Sequence, residues 1–166
     1  SRDFSGQELR ILANLSGEPS WIDAFLNGQD IHERTARTIW GDDNYDKNMR
    51  KKAKSINFGL VYGIGAQGLS KSVGTTEEEA QTYIDTFLSS HKAIDNYLNS
   101  QAIYAGQHKE LVNHYGRKRR FHNYINAWGK LVPAGKRRAF NYPIQSMGAE
   151  ITKIALLKVY YNIILN

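Results

Sequence analysis

Apolar residues recur at helical spacing through most of this chain. Leu9, Leu12 and Ala13, with Leu15 beside them, predict a helix over residues 7–15 that Gly17 and Pro19 end. Trp21, Ile22 and Phe25 give a second helix over 20–27, and Asp30 can cap a third, IHERTARTIWG, that stops near Gly41. The polar residues 42–48 read as a loop. The stretch MRKKAKSINFGLVYG follows, with Met49, Ile56, Phe58, Leu60 and Val61 as its apolar contacts and its basic residues crowded into the first turns. Gly59 inside this pattern costs about 1 kcal/mol against alanine, so it calls for a packing or access reason. Gly63, Gly65 and Gly68 break up the chain, and a short helix at 66–73 is capped by Gly74. A capping box, Thr75 with Glu78 or Thr76 with Glu79, opens the next helix, whose stripe is Ala80, Tyr83, Ile84 and Phe87. Residues 92–107 repeat the pattern with Ile94, Tyr97, Leu98 and Ile103, and the two helices are expected to form an antiparallel pair. At 110–122 the period shortens on both sides of Gly116, which predicts a hairpin. Residues 123–134 read as irregular. The last element runs from about Gly135 to Ile164 and is expected to bend or break at Pro143.

Composition narrows the class of partner. The 166 residues suffice for one domain with a real core. A net charge of +6 and a pI near 9.5 favour a polyanionic partner such as nucleic acid. With no cysteine there are no disulfides and no thiolate metal sites. The first residues are charged and lack a signal peptide's apolar stretch, so a secreted chain is not expected. Residues 154–165 are the most apolar run. Lys158 and Asn162 interrupt it, and it reads as a buried or half-buried helix, with no membrane partner expected.

Arg50, Lys54, Phe58 and Tyr62 are spaced by four and share one helix face. The basic pair lies in the early turns, where cations meet the positive end of the helix dipole. That arrangement is costly unless an anion sits against it, and a triphosphate would suit. Phe58 and Tyr62 could then contact a planar base. Taken alone, the run RKKAK is more often a solvated helix face than a ligand site, and the aromatic pair more often core than a base contact.

Three ordered segments change that balance: DFSGQELR at 3–10, RKKAKSINFGLVYG at 50–63 and RRAFNYPIQSMGAE at 137–150. In this order and spacing the chain resembles the DNA polymerase I family (family A DNA polymerases). The first segment is similar to its motif A, D-Y-S-x-x-E-L-R, and the second to its motif B, R-x-x-x-K-x-x-x-F-G-x-x-Y-G. The linking stretches LSGEPSWIDAFLNGQDIHERTA, EEAQTYIDTF and YGRKRR resemble it too, so the likeness covers essentially the whole chain. It implies template-directed DNA synthesis, transferring a deoxynucleoside monophosphate from a dNTP to a primer 3′-OH, in replication or repair, in the cytoplasm of a bacterial or phage-infected cell. It further implies an α+β fold: mostly helical fingers with a small β-hairpin, flanked by incomplete palm segments of a right-hand polymerase. Residues 1–18 would be palm with motif A, 19–134 fingers with motif B, and 135–166 a helical return to the palm.

Carried over position by position, the resemblance makes Asp3 a catalytic metal-binding aspartate and the Phe4 backbone carbonyl a further ligand, in a site for two Mg²⁺ ions. Glu8 matches the glutamate that excludes a ribose 2′-OH and pairs with the tyrosine matched by Tyr62. His32 matches a histidine on the β-phosphate side of the nucleotide. Arg50 and Lys54 match the residues that grip the triphosphate, with Lys54 also giving charge or a proton toward the leaving group. Phe58 matches the aromatic under the nucleotide. As phenylalanine it has no hydroxyl to stand in for a missing 3′-OH, so strong discrimination against dideoxynucleotides is expected. Phe58→Tyr should relax it, and equal dideoxy incorporation by both forms would sink the idea. Arg137, Asn141 and Gln145 match residues that contact primer–template DNA, partly through the minor groove, whose shared acceptors suit a geometry check. Arg117, Lys118, Arg119 and Arg120 make a denser basic patch in which Arg117, Arg119 and Arg120 are candidate phosphate contacts.

Departures from the pattern are specific. Gly6 and Gln7 stand where the family has Gln-Ile, Lys51 and Lys52 add charge, and GKLVPAGKRRAF matches only loosely. They suggest a divergent, viral or phage-borne member. No His-Asp-Glu occurs in this chain, so the second catalytic aspartate of the family is expected from the remaining palm, and thumb and palm regions become expected partners in the same parent chain or another. The isolated chain is expected to be inactive. The alternative is a non-catalytic nucleic-acid-binding module derived from the same fold.

Overall fold

A computed structural model describes residues 4–163. Its α-helices are α1 (Gln7–Ser16), α2 (Pro19–Leu26), α3 (Ile31–Trp40), α4 (Lys47–Val61), α5 (Ala66–Val73), α6 (Glu77–Ser90), α7 (Lys92–His108) and α8 (Pro133–Ile163). Strands β1 (Glu110–Val112) and β2 (Lys118–Arg120) form one antiparallel hairpin between α7 and α8, with Leu111 opposite Arg119. The mostly helical α+β architecture expected from the sequence is present.

Local chemistry sets most boundaries. Asp30 accepts from the N–H groups of His32 and Glu33 at the start of α3, and Asp46 from Met49 N–H at the start of α4. Of the two capping boxes, the chain uses Thr76, whose hydroxyl accepts from Glu79 N–H at 3.2 Å, while the Glu79 carboxylate accepts from the Thr75 hydroxyl. Gly17 and Gly74 close α1 and α5 in the left-handed conformation.

The main core gathers Leu9 and Leu12 of α1, Trp21 of α2, Ile56 and Val61 of α4, Leu69, Phe87, Ile94 and Ile144. Trp21 is fully buried, with Phe87 and His91 edge-on at 5.8 Å. A smaller cluster of Ala105, Leu111, Phe121 and Ala139 lies under the hairpin. Gly59 has the packing reason it called for: a Cβ there would lie 2.5 Å from Ile64 Cγ2. At Gly63, φ is +67° and a Cβ would meet the Arg137 Cα at 3.0 Å, so this glycine brings the end of α4 against the backbone of α8. Gly63→Ala is expected to cost about 1–2 kcal/mol for the left-handed backbone and about 1–3 more for overpacking. Calorimetry should show the melting temperature falling by roughly 5–15 °C, and a shift within about 2 °C would contradict the close contact.

Several expectations are corrected. Helix α8 is continuous through Pro143. The missing N–H and ring clash cost about 3 kcal/mol, and anchoring on both sides, by Ala139 in the smaller cluster and Ile144 in the main core, offsets it. Helices α6 and α7 touch, but α6 packs mainly on α5 and α3, and α7 on α8 and α1. Only His91 joins them, too short a link for a folded-back helical hairpin. Ile103 is exposed. The apolar run after Ile151 is exposed as well: Leu156, Leu157, Val159 and Ile163 meet no covering element among the described residues. No described helix is long and apolar enough to cross a membrane.

The irregular stretch 123–134 has a design of its own. Asn126 Oδ1 accepts from the N–H groups of Trp128 and Lys130, and Gly129 follows with φ +74°. The hairpin turn is built the same way, with Asn113 accepting from Tyr115 and Arg117 before Gly116. Asn-x-aromatic-Gly-basic thus occurs twice, in NHYGR and NAWGK.

Candidate functional site

The start of α1, the end of α2, the N-terminus of α3 and one face of α4 enclose an open cleft of about 560 Å³. Arg10, Asp30, His32, Arg50, Lys54 and Phe58 line it. Three of the four residues spaced along α4 therefore face one space, as their periodicity requires. His32 enters from α3, placed by the Asp30 cap, and its ring lies 5.8 Å from that of Phe58. Asp30 has a second role. Its Oδ2 accepts from Arg50 Nε at 2.8 Å and from Nη2, tying the first turn of α4 to the cap of α3. Burial pushes the Asp30 carboxyl up, but the Arg50 hydrogen bonds and the N–H groups of Glu33 and His32 outweigh it and hold it below its ordinary value. Lys54 is exposed and has no carboxylate partner among the described residues.

Burial lowers the His32 pKa, helped by the charges of Arg50 and Lys54 and opposed by Asp30. His91 is lowered by burial too, against the Phe87 carbonyl and Glu18. Both histidines resist protons that the unfolded chain takes up below about pH 6.5. Their contribution to stability is complete above that value and is lost as pH falls toward the lowered native values. Thermal melts should therefore show a decline from pH 7.5 to pH 5.5, shallower in His91→Phe, and a flat profile would overturn the assignment.

Tyr62 caps α4 and turns away from the cleft lining. Its hydroxyl donates to Glu8 Oε2 at 2.7 Å, and Gln145 Nε2 of α8 donates to the same hydroxyl at 3.2 Å and to Glu8 Oε1. Three predicted residues from α1, α4 and α8 thus form one network. Burial and the Glu8 hydrogen bond raise the Tyr62 pKa, so it stays a donor. Gln7 donates to the Gly148 carbonyl at 3.3 Å, so the departure in motif A gives α1 a polar tie to α8.

Beyond Tyr62 a second cleft, about 290 Å³, is lined by Arg119, Arg137, Arg138, Asn141 and Tyr142. The hairpin divides its basic residues. Arg119 faces inward, its guanidinium 5.9 Å from the Tyr142 ring and its Nε buried without a partner. Arg120 is exposed, Lys118 pairs with Glu110, and Arg117 donates to Glu150 at 2.7 Å. Burial pushes the Glu150 carboxyl up, and the bonds from Arg117 and Lys153 more than reverse it. Sequence reasoning missed Arg10 and Arg138. The signal for Arg138 was its place beside Arg137, whereas nothing local marked Arg10.

Asp3 lies outside the described residues. Phe4 is exposed at the start of the described chain. Among the described residues no group of three His, Asp or Glu could hold a metal ion. The Phe4 carbonyl alone does not make a magnesium site.

The family model for DNA polymerase family A matches residues 1–165. Over 163 residues the chain is 38% identical to DNA polymerase I of Streptococcus pneumoniae (strain ATCC BAA-255 / R6), covering 96% of this chain and 18% of that protein. It is 37% identical over 163 residues to DNA polymerase I of Lactococcus lactis subsp. lactis, again covering 96% of this chain and 18% of the relative. Among solved structures it is similar to the POL domain of Pol1 from M. smegmatis in complex with DNA primer-template and dNTP. That match has a TM-score of 0.85 and 29% identity, and covers 97% of this chain and 29% of the other. The chain thus spans less than a fifth of the curated relatives it matches.

Proposed function

The chain belongs to DNA polymerase family A, and from that premise we propose that it is the part of a template-directed DNA polymerase that grips the incoming dNTP and checks the primer–template end. The observation that carries this reading is the convergence of His32, Arg50, Lys54 and Phe58 on one cleft, next to the Glu8–Tyr62–Gln145 network. The first cleft supplies two cations and an imidazole for a polyphosphate, and an aromatic face for a base. The network fixes the Glu8 carboxylate on Tyr62, which lines the second cleft, and there it can exclude a 2′-OH. The second cleft offers Arg119, Arg137 and Asn141 to DNA. Arg117 and Arg120 lie at its margin, and Arg117 must leave Glu150 or share it to reach a phosphate.

Asp3 and the Phe4 carbonyl would form one side of a site for two Mg²⁺ ions, and the rest of a longer protein would supply the other. Such ions, when bound, lower the pKa of the primer 3′-OH and neutralise the leaving pyrophosphate. This chain's own part is to orient the triphosphate with Arg50, Lys54 and His32, and to place Lys54 charge beside the departing group. Residues 1–18 and 135–166 are assigned to the palm and 19–134 to the fingers. The exposed apolar face of α8 after Ile151 is where further palm would pack. A cytoplasmic setting belongs to the same proposal, as the place of DNA synthesis in a bacterial cell.

A chimera tests the reading, with this chain replacing the matching segment of the L. lactis polymerase. Primer extension with Mg²⁺ and four dNTPs, lost in Asp3→Asn, is the expected result. A folded chimera that binds primer–template without extending it would overturn catalysis and favour a binding module.

A further inference from the structure

Asn57 is fully buried on the inward face of α4, among Ala53, Ile56 and Leu60, where an apolar side chain would pack without polar cost. Its Nδ2 lies 3.0 Å from His32 Nδ1, and its Oδ1 has no hydrogen-bond partner. A buried amide left partly unsatisfied costs about 1–3 kcal/mol. Its one side-chain partner is a ring that lines the cleft.

The bond restricts that ring. A neutral imidazole has one nitrogen as donor and the other as acceptor, and the partner of one fixes the other. Burial and the charges of Arg50 and Lys54 favour neutral His32. Two amide orientations are then open. If Nδ2 donates to Nδ1, a carbonyl oxygen and one N–H stay unpaired. If the amide is reversed and Oδ1 accepts from Nδ1–H, both N–H bonds of the amide are orphaned. Orphaned buried N–H groups are the rarer kind. The first orientation wins, which makes Nδ1 the acceptor and leaves the ring proton on Nε2.

We propose that Asn57 is a positioning residue that holds His32 in its Nε2–H tautomer, a neutral donor for an anionic oxygen bound in the cleft. The identity of that oxygen, a nucleotide phosphate, rests on the function proposed above, whereas the tautomer does not. A neutral donor suits a site that already carries Arg50 and Lys54. It can bond to phosphate without adding a third charge for those two to repel.

Long-range ¹H–¹⁵N correlation spectra of the ¹⁵N-labelled full chain read the tautomer directly. The native chain is expected to show the proton on Nε2 of His32. Asn57→Asp should move it to Nδ1, since a carboxylate can only accept there. Asn57→Leu, close in size and apolar, should give a mixture of tautomers with an unchanged far-ultraviolet spectrum. Titration with inorganic tripolyphosphate should show affinity reduced roughly twofold in Asn57→Leu, the effect of leaving about half of the rings in the donating tautomer. A native His32 protonated on Nδ1 would overturn the proposal even if neither variant folds. So would Asn57→Leu with the native tautomer. Native Nε2–H without tripolyphosphate binding would instead sink the nucleotide reading of the cleft and leave the Asn57 assignment standing.

Discussion

Lys54→Ala is expected to slow correct-nucleotide incorporation in the chimera by about 10²–10³-fold, the cost of removing one preorganised charge from a transition state. Lys54 and Arg50 lie one turn apart on α4 and line the same cleft, but their situations differ. Arg50 is fixed by Asp30 and is already partly neutralised. Lys54 has no carboxylate partner among the described residues, so its full charge is available to a polyphosphate. That charge gains most as negative charge builds on the departing pyrophosphate, so the loss should fall on kcat more than on KM. Lys51→Ala is the control. Its side chain is exposed, it does not line the cleft, and its removal should change the rate by less than about threefold, an exposed-charge effect. Single-turnover incorporation measures both. A Lys54→Ala loss below about tenfold, or an equal loss in Lys51→Ala, would remove Lys54 from the chemistry.

Glu8→Ala is expected to relax the choice of sugar, raising ribonucleotide incorporation relative to deoxynucleotide by roughly 10–10²-fold. The estimate treats the excluded 2′-OH as an overpacked group worth about 1–3 kcal/mol. Glu8 is held at both carboxylate oxygens, by the Tyr62 hydroxyl at 2.7 Å and by Gln145 Nε2. A side chain so restrained cannot swing aside cheaply, which is what exclusion by bulk requires. Tyr62→Phe removes one restraint while keeping the ring, so it should relax selection less than Glu8→Ala. Competition between ribo- and deoxynucleotides at one template position gives the ratios. Unchanged selection in Glu8→Ala would break the assignment.

Legibility followed the range of the interactions. Helix starts at Asp30 and Thr76 and ends at Gly17 and Gly74 depend on residues within one turn, so the sequence shows them directly. The candidate site residues stood out as an ordered set, and the one helix face expected for Arg50, Lys54 and Phe58 is the face that lines the cleft. What that face meets was not. Asp30 and Arg50 lie twenty positions apart, and nothing local tells a capping aspartate that it will also bind an arginine. The interruption expected at Pro143 is absent because a local rule met packing on both sides. The twin Asn-x-aromatic-Gly turns were legible in principle: reading NHYGR as a turn should have led to NAWGK.

The close approach of Gly63 to Arg137 would serve as the fulcrum if α4 pivots as a rigid rod. Its far arm runs thirteen residues back to Arg50, roughly 20 Å at the helical rise. A rotation of about 10° around that fulcrum carries Arg50 roughly 3 Å, and a residue halfway along about half as far. Tyr62, beside the fulcrum, hardly moves. Any such rotation would therefore be felt at Arg50 and Lys54, while the Glu8 carboxylate beside Tyr62 keeps its place. A single achiral residue can in this way separate the part of the site that travels from the part that measures.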